Sequence, residues 1–128
     1  MTVVLDASAL LAYFQQEPGG EQVAELLTDE ARVSALNWSE LHQKLTWYGL
    51  AADDLTASLR TLGVQIEPFN RADAVAASNL YPQTRWPGGA SLADRACLAL
   101  ARRLGAPVYT ADREWSGVDV GVDVRMIR

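Results

Sequence analysis

Val3-Val4-Leu5-Asp6-Ala7-Ser8-Ala9-Leu10-Leu11 sets an acid where a buried hydrophobic strand gives way to an apolar helix. Thr2 to Leu5 is too short and too uniformly apolar for a half-exposed strand, so it reads as a parallel strand covered on both faces. A helix is expected from about Ser8 to Phe14. A carboxylate at such a junction usually serves something outside the fold.

The rest of the chain repeats that alternation. Pro18-Gly19-Gly20 breaks the first helix, and Glu21 to Leu27 resumes a helical pattern with Val23, Leu26 and Leu27 on one side. Arg32 to Ala35 reads as a second strand. From Asn37 to Tyr48, Trp38, Leu41, Leu45 and Tyr48 recur at three- and four-residue steps, which predicts a helix ended by Gly49. Asp53 to Leu62 follows as a helix with Leu55, Leu59 and Leu62 inward, then a strand from Val64 to Glu67 closed by Pro68. Arg71 to Leu80 is helical, Tyr81 to Ala90 is a Pro/Gly loop, and Leu92 to Leu104 is apolar nearly all round, as a central buried helix would be. Val108 to Thr110 and Val122 to Ile127 complete the strands. The alternation implies an α/β layer fold with a mostly parallel sheet and right-handed crossovers.

The chain has 128 residues, which suits a single domain, 1–128, with one core and no linker. With 49% hydrophobic and 21% charged residues it is an ordinary globular composition. No apolar run approaches the roughly 18 residues of a membrane span, and no signal-type core is visible, so a cytoplasmic protein is expected. Cys97 is the only cysteine and sits in the apolar run Ala96 to Leu100, where it reads as a small core residue. His42 is the only histidine, which leaves a His-based zinc site or a Ser/His/Asp triad without material. Net charge is −5, with 9 acids against 3 bases in residues 1–64 and 7 against 8 in residues 65–128. That balance argues against broad, sequence-independent nucleic-acid binding. A nuclease whose metal ions supply local positive charge stays open.

Four acids stand out. Asp6 ends the first strand, Glu40 follows the second, Asp94 opens the buried helix and Asp112 follows the Val108 strand. Functional sites of open α/β sheets form beyond the carboxyl ends of the strands, so these residues are expected at one edge. Each also has a plain structural reading. Asn37-x-x-Glu40 and Ser91-x-x-Asp94 resemble capping boxes, Asp6 and Asp112 read as N-caps, and Glu40 can pair with Lys44 one turn on. Four caps need not all be acids at one edge, and crowded like charges call for a cation or protons, so a hard divalent cation is one reading. The other is an acid pocket of the phospho-accepting kind, with Asp6 as nucleophile and Lys44, the only lysine, as its partner.

At this point the residues resemble a known family. Val4-Leu5-Asp6-Ala7-Ser8-Ala9-Leu10-Leu11-Ala12, Trp38-Ser39-Glu40-Leu41, Ser91 to Ala101 and Val108-Tyr109-Thr110-Ala111-Asp112-Arg113-Glu114-Trp115 are similar, in order and spacing, to PIN-domain ribonucleases, specifically the VapC-like toxins of type II toxin–antitoxin systems. The resemblance covers essentially the whole chain. It implies a three-layer α/β/α fold around a central, mostly parallel sheet of about five short strands. It also implies an acidic quartet of Asp6, Glu40, Asp94 and Asp112 that binds Mg2+ or Mn2+ and hydrolyses RNA, with Ser8 and Thr110 as accessory hydroxyls. Arg85, Trp86, Arg95 and Arg113 are candidate RNA contacts, against the plainer reading of solvated arginines and a Trp packed as a lid. Implied partners are RNA, a VapB-like antitoxin seated in a groove that Tyr13, Phe14, Leu26, Leu27 and Leu59 could line, and a second copy as a homodimer. A non-catalytic PIN-like binding module and a housekeeping PIN nuclease are the alternatives.

Overall fold

The computed structural model describes residues 1–128. Its elements run β1 (Thr2–Leu5), α1 (Ala7–Phe14), α2 (Gly20–Leu26), β2 (Glu30–Ser34), α3 (Ala35–Trp47), α4 (Ala52–Thr61), β3 (Gln65–Glu67), α5 (Arg71–Asn79), α6 (Leu92–Leu104), β4 (Val108–Thr110) and β5 (Val124–Met126), with short 3-10 turns at Tyr81–Gln83 and Arg113–Trp115. All five strands are parallel, in the order β3-β2-β1-β4-β5.

That order creates the site's location. The chain moves outward from β1 through β2 to β3, then returns to lay β4 and β5 on the other side of β1. The switch point lies between β1 and β4, where connections diverge and leave a crevice beyond the carboxyl ends. Leu5 is in register with Tyr109, so the next step along each strand sets Asp6 level with Thr110.

The uniform hydrophobicity of β1 follows from burial on both faces. Val3 and Leu5 join a core with α1, α2, α3 and α4, while Val4 joins a second core with α6, Val108 and Trp115. This is the three-layer α/β/α arrangement, with α1 to α4 on one face of the sheet and α5 and α6 on the other. A junction at Gly19 fixes α2: the residue has φ +92°, and a Cβ there would stand 2.4 Å from the Ile127 carbonyl oxygen. Only glycine meets both demands at low cost.

Several expectations shift in detail. The third helix begins at Ala35, capped by the Ser34 hydroxyl accepting from the Leu36 amide at 3.3 Å, so Asn37 is inside the helix rather than its cap. Tyr48 and Leu62 are 49% and 48% exposed because each lies at a helix C-terminus, past the last turn that the core covers. Helix α6 is buried from Ala96 to Ala101 only; Leu92 and Arg102 at its ends face outward. Leu27 and Leu59 are fully buried in the first core and cannot line a surface groove, whereas Tyr13, Phe14 and Leu26 pack on that core from its margin. Cys97 is a buried core residue. No helix is long and apolar enough to cross a membrane.

Candidate active site

Asp6 caps α1, and its backbone is extended there, with φ −91° and ψ 176°. Its Oδ1 accepts from the Ala9 amide at 2.9 Å and the Ser8 hydroxyl at 2.8 Å, and its Oδ2 accepts from the Thr110 hydroxyl at 2.6 Å. The two hydroxyls are themselves held. Ser8 Oγ accepts from the Ala111 amide at 2.9 Å, Thr110 Oγ1 accepts from the Asp112 amide at 3.0 Å, and the hydroxyl oxygens lie 3.2 Å apart. Ser8 and Thr110 therefore tie the end of β1 to the end of β4 across the switch point.

The carboxyl is 4% exposed, and burial pushes its pKa up to about 6. The bonds from Thr110, Ala9 and Ser8 oppose that rise, and the charge on Asp94 adds to it. The fold thus holds Asp6 in place and makes its ionised form expensive.

Asp94 is the third residue of α6 and forms a complete capping box: Ser91 Oγ accepts from the Asp94 amide at 3.1 Å, and Asp94 Oδ2 accepts from the Ser91 amide at 3.0 Å. Its pKa is raised by burial and by Asp112, against the Ser91 bonds and Lys44. Asp112 caps the Arg113–Trp115 turn, its Oδ1 accepting from the Glu114 amide at 3.0 Å. Glu40 stands in the second turn of α3 and caps nothing. Its pKa is raised by burial and by Asp94, with Lys44 pulling the other way, although no ion pair forms between Glu40 and Lys44 within 4.0 Å.

These shifts trace how the acids are grouped. Asp94 acts on both Asp6 and Glu40, and Asp112 acts on Asp94, so Asp94 is the hub. Beneath them the Cys97 thiol is pushed up by burial first, then by Asp6, Asp94 and Glu40. The charges of three acids therefore act on one buried side chain. The acids do not close into a compact cage: no three His, Cys, Asp or Glu side chains stand close enough to grip one ion directly.

The donor set nonetheless suits a hard divalent cation. All four side chains offer oxygen, the preference of Mg2+ and Mn2+. Asp94 Oδ1, Asp112 Oδ2 and both Glu40 oxygens accept no hydrogen bond from the protein. Mg2+ commonly keeps several waters and takes only one or two carboxylates directly, so a loose ring of acids fits it.

The four other predicted contacts divide. Arg85 and Arg113 are exposed, and Arg85 lies 6.0 Å from the Tyr81 ring. Trp86 packs against the second core, and its Nε1 donates to Glu114 Oε2 at 3.2 Å. Arg85 and Trp86, but not Arg113, line a cleft of about 860 Å3 with Pro82, Gln83, Glu114 and Ser116. Arg95 turns back into the fold, donating to the Ala77 carbonyl at 3.3 Å beside the Tyr81 ring, which draws it away from an outward-facing role. Two further side chains with polar atoms are fully buried. Trp115 is fully buried under the Asp112 turn, and Asn37 is fully buried in the first turn of α3. Asn37 looked like a cap because Asn is a favoured cap; Ser34, three residues earlier, was the competing signal.

Comparisons with known proteins agree with this architecture. The chain is similar in structure to a toxin–antitoxin complex chain from Klebsiella pneumoniae (TM-score 0.78, 18% identity, 98% of each chain covered). It is also similar to VapBC2 from Rickettsia felis, solved bound to a promoter DNA fragment (0.72, 14%, 98% of each). A third is VapC20 of Mycobacterium tuberculosis, described as a sarcin–ricin loop cleaving toxin (0.68, 14%, 94% of this chain and 98% of that one). No curated protein sequence matches significantly. The PIN domain family model matches residues 3–121, nearly the full length over which the five strands and the four acids are distributed, and the chain belongs to the PIN domain family.

Proposed function

We propose that this chain is a divalent-cation-dependent endoribonuclease and the toxin half of a toxin–antitoxin pair. The observation that carries the reading is the arrangement of Asp6, Glu40, Asp94 and Asp112. They come from four different elements, reach the carboxyl edge of one parallel sheet, and are coupled electrostatically through Asp94. Membership of the PIN family supports nuclease chemistry, and structural likeness to toxin chains supports the biological setting.

Asp6, Asp94, Glu40 and Asp112 would hold Mg2+ or Mn2+. A bound cation would offset their mutual repulsion, acidify water for attack on the phosphodiester and balance charge developing on the phosphate. The chain's own part is orientation. Ser8 and Thr110 fix the Asp6 carboxylate, Ser91 fixes Asp94, and the Arg113–Trp115 turn fixes Asp112, so little rearrangement is needed when substrate arrives. Arg113, exposed next to Asp112, and Arg85, exposed in the segment between the Tyr81–Gln83 turn and α6, are proposed to meet RNA phosphates, and Trp86 to present a stacking face.

The proposed partner is a VapB-like antitoxin. A cleft of about 460 Å3 between α1 and α2 is lined by Tyr13, Gln16, Glu17, Gly20, Glu21 and Ala24. Tyr13 and the carboxylates of Glu21 and of Glu17, which pairs with Arg128 at 3.0 Å, suit a segment carrying apolar and basic side chains able to displace that arginine. A homodimer is also proposed, its test being sedimentation of the purified chain.

Induced expression is expected to arrest growth, and purified protein to cleave RNA with Mn2+ but not with EDTA. Asp94→Asn is expected to abolish both. Undiminished toxicity of that variant would defeat the catalytic assignment. The openness of the acid ring favours one second reading, a non-catalytic PIN-like module whose acids anchor a basic partner. Such a module would bind no Mn2+ in a manner dependent on Asp6, Glu40 and Asp94.

A further inference from the structure

The side chain of Asn37 is fully buried, and neither its Oδ1 nor its Nδ2 has a hydrogen-bonding partner in the protein. The other buried polar atoms in that condition, Arg95 Nε and Trp115 Nε1, are single donors. Asn37 alone leaves a donor and an acceptor orphaned together. Buried amides are seldom left so, because desolvation is then uncompensated.

Its position is informative. Asn37, Leu41 and Leu45, four residues apart, form the fully buried stripe of α3, and Asn37 heads that stripe at the end nearest the carboxyl edge of the sheet. Glu40 lies three residues on, and side chains at that spacing neighbour one another on a helix. Helix α3 packs against α1 and α6, the helices that open at Asp6 and in whose first turn Asp94 lies. An uncharged amide is therefore buried at the end of α3 that also carries Glu40, on a helix packed against the two that carry Asp6 and Asp94. It brings one acceptor and two donors without adding a further negative charge.

We propose that Asn37 is a positioning residue of the cation site, hydrogen-bonding the hydration shell of the divalent ion and a neighbouring carboxylate. This inference rests on the proposal that the acids hold such an ion. Water around a cation turns its hydrogens outward and needs acceptors, which Oδ1 supplies, while Nδ2 donates to a carboxylate oxygen. Partners of this outer kind typically change metal affinity by roughly 10- to 100-fold.

The test measures Mn2+ binding by calorimetry and thermal unfolding in EDTA for the wild type, Asn37→Leu and Asn37→Asp. Leucine keeps the branched skeleton and removes both polar atoms. Asn37→Leu is expected to weaken Mn2+ binding by roughly 10-fold or more while melting in EDTA no lower than the wild type, since no protein hydrogen bond is lost. Asn37→Asp is expected to keep Mn2+ binding but to melt lower in EDTA, because a further carboxylate joins the acids. Unchanged Mn2+ affinity in Asn37→Leu overturns the inference and leaves the cation site standing. A lower melting temperature of Asn37→Leu in EDTA also overturns it, by showing that the amide serves the fold. Absence of Mn2+ binding by the wild type overturns the cation site and this inference together.

Discussion

Replacing Asp6 by Asn is expected to make the metal-free protein more stable at neutral pH while removing its activity. Burial moves this carboxyl from 3.8 to about 6. Holding it ionised in the folded state at pH 7.5 therefore costs about 3 kcal/mol. Asparagine removes that cost but keeps only one acceptor oxygen for the Ala9 amide and the Ser8 and Thr110 hydroxyls, a loss of about 1–2 kcal/mol. The net gain of about 1–2 kcal/mol corresponds to an increase of roughly 0.5–1 M in the urea midpoint for a chain of this size. The measurement is urea unfolding in EDTA.

The sign of the pH dependence follows from the same shift. Below 3.8 the carboxyl is protonated in both states and imposes nothing. Between 3.8 and about 6 the folded protein keeps a proton that the unfolded chain has released, so stability falls as pH rises through this window. Acidifying from pH 7.5 to 5 should recover about half of the wild type's deficit, and the advantage of Asp6→Asn should shrink accordingly. Glu40, raised in the same direction without Asp6 among its causes, acts in both proteins, whereas Asp94 loses a neighbouring charge in the variant, which adds to the variant's advantage at neutral pH. Saturating Mn2+ at 100 times its dissociation constant should add about 2.7 kcal/mol to the wild type and far less to the variant. A variant no more resistant to urea than the wild type at pH 7.5, with a gap that stays constant to pH 5, would refute the burial argument.

Thr110→Val removes the donor to Asp6 Oδ2 and the acceptor for the Asp112 amide in one isosteric change. It is expected to cost about 2 kcal/mol in urea unfolding and to lower RNA cleavage; a loss under about 0.5 kcal/mol would show that the hydroxyl bridge is dispensable. Gly19→Ala should destabilise by at least about 2 kcal/mol, because the new Cβ needs a strained φ and meets Ile127, and melting in EDTA reads it directly. Arg85→Ala and Arg113→Ala should each leave stability within about 0.5 kcal/mol and lower the salt-dependence slope of RNA binding by about one. An unchanged slope in both would remove them from the RNA surface.

The order of elements was legible because each strand is a short apolar run between turn residues and each helix keeps its period. What the sequence hid were competitions decided by tertiary contacts. Ser34 and Asn37 are both good caps, and β2 ended early enough for Ser34 to take the role. Leu59 and Leu62 share a helical face, but only Leu59 reaches the core, since the helix ends before Leu62. Arg95 has the composition of an RNA contact and the position of a tie to α5. The four acids stood out because a carboxylate is unusual where an apolar strand ends. Asn37 did not, because Asn is an ordinary residue at a helix start and its burial depends on where β2 ends.

Reading each acid as either a cap or a ligand sets up a choice that the geometry dissolves. Asp94 and Asp112 each spend one oxygen on a backbone amide at the start of a helical turn and keep the other without a protein donor. Asp6 uses both oxygens and is correspondingly the most rigid. The cap bond does two things at once: it satisfies a helix amide that would otherwise lack a partner, and it fixes the carboxylate so that ordering it for binding costs little further entropy. The positive end of each helical turn also favours the ionised form that burial opposes. Glu40 has no such tether, so it is the acid expected to move most when a cation or a basic partner enters, and Glu40→Gln should perturb metal-free stability least of the four. Urea unfolding of the four single amide variants in EDTA tests this ranking, and a larger shift for Glu40→Gln than for Asp6→Asn would reverse it.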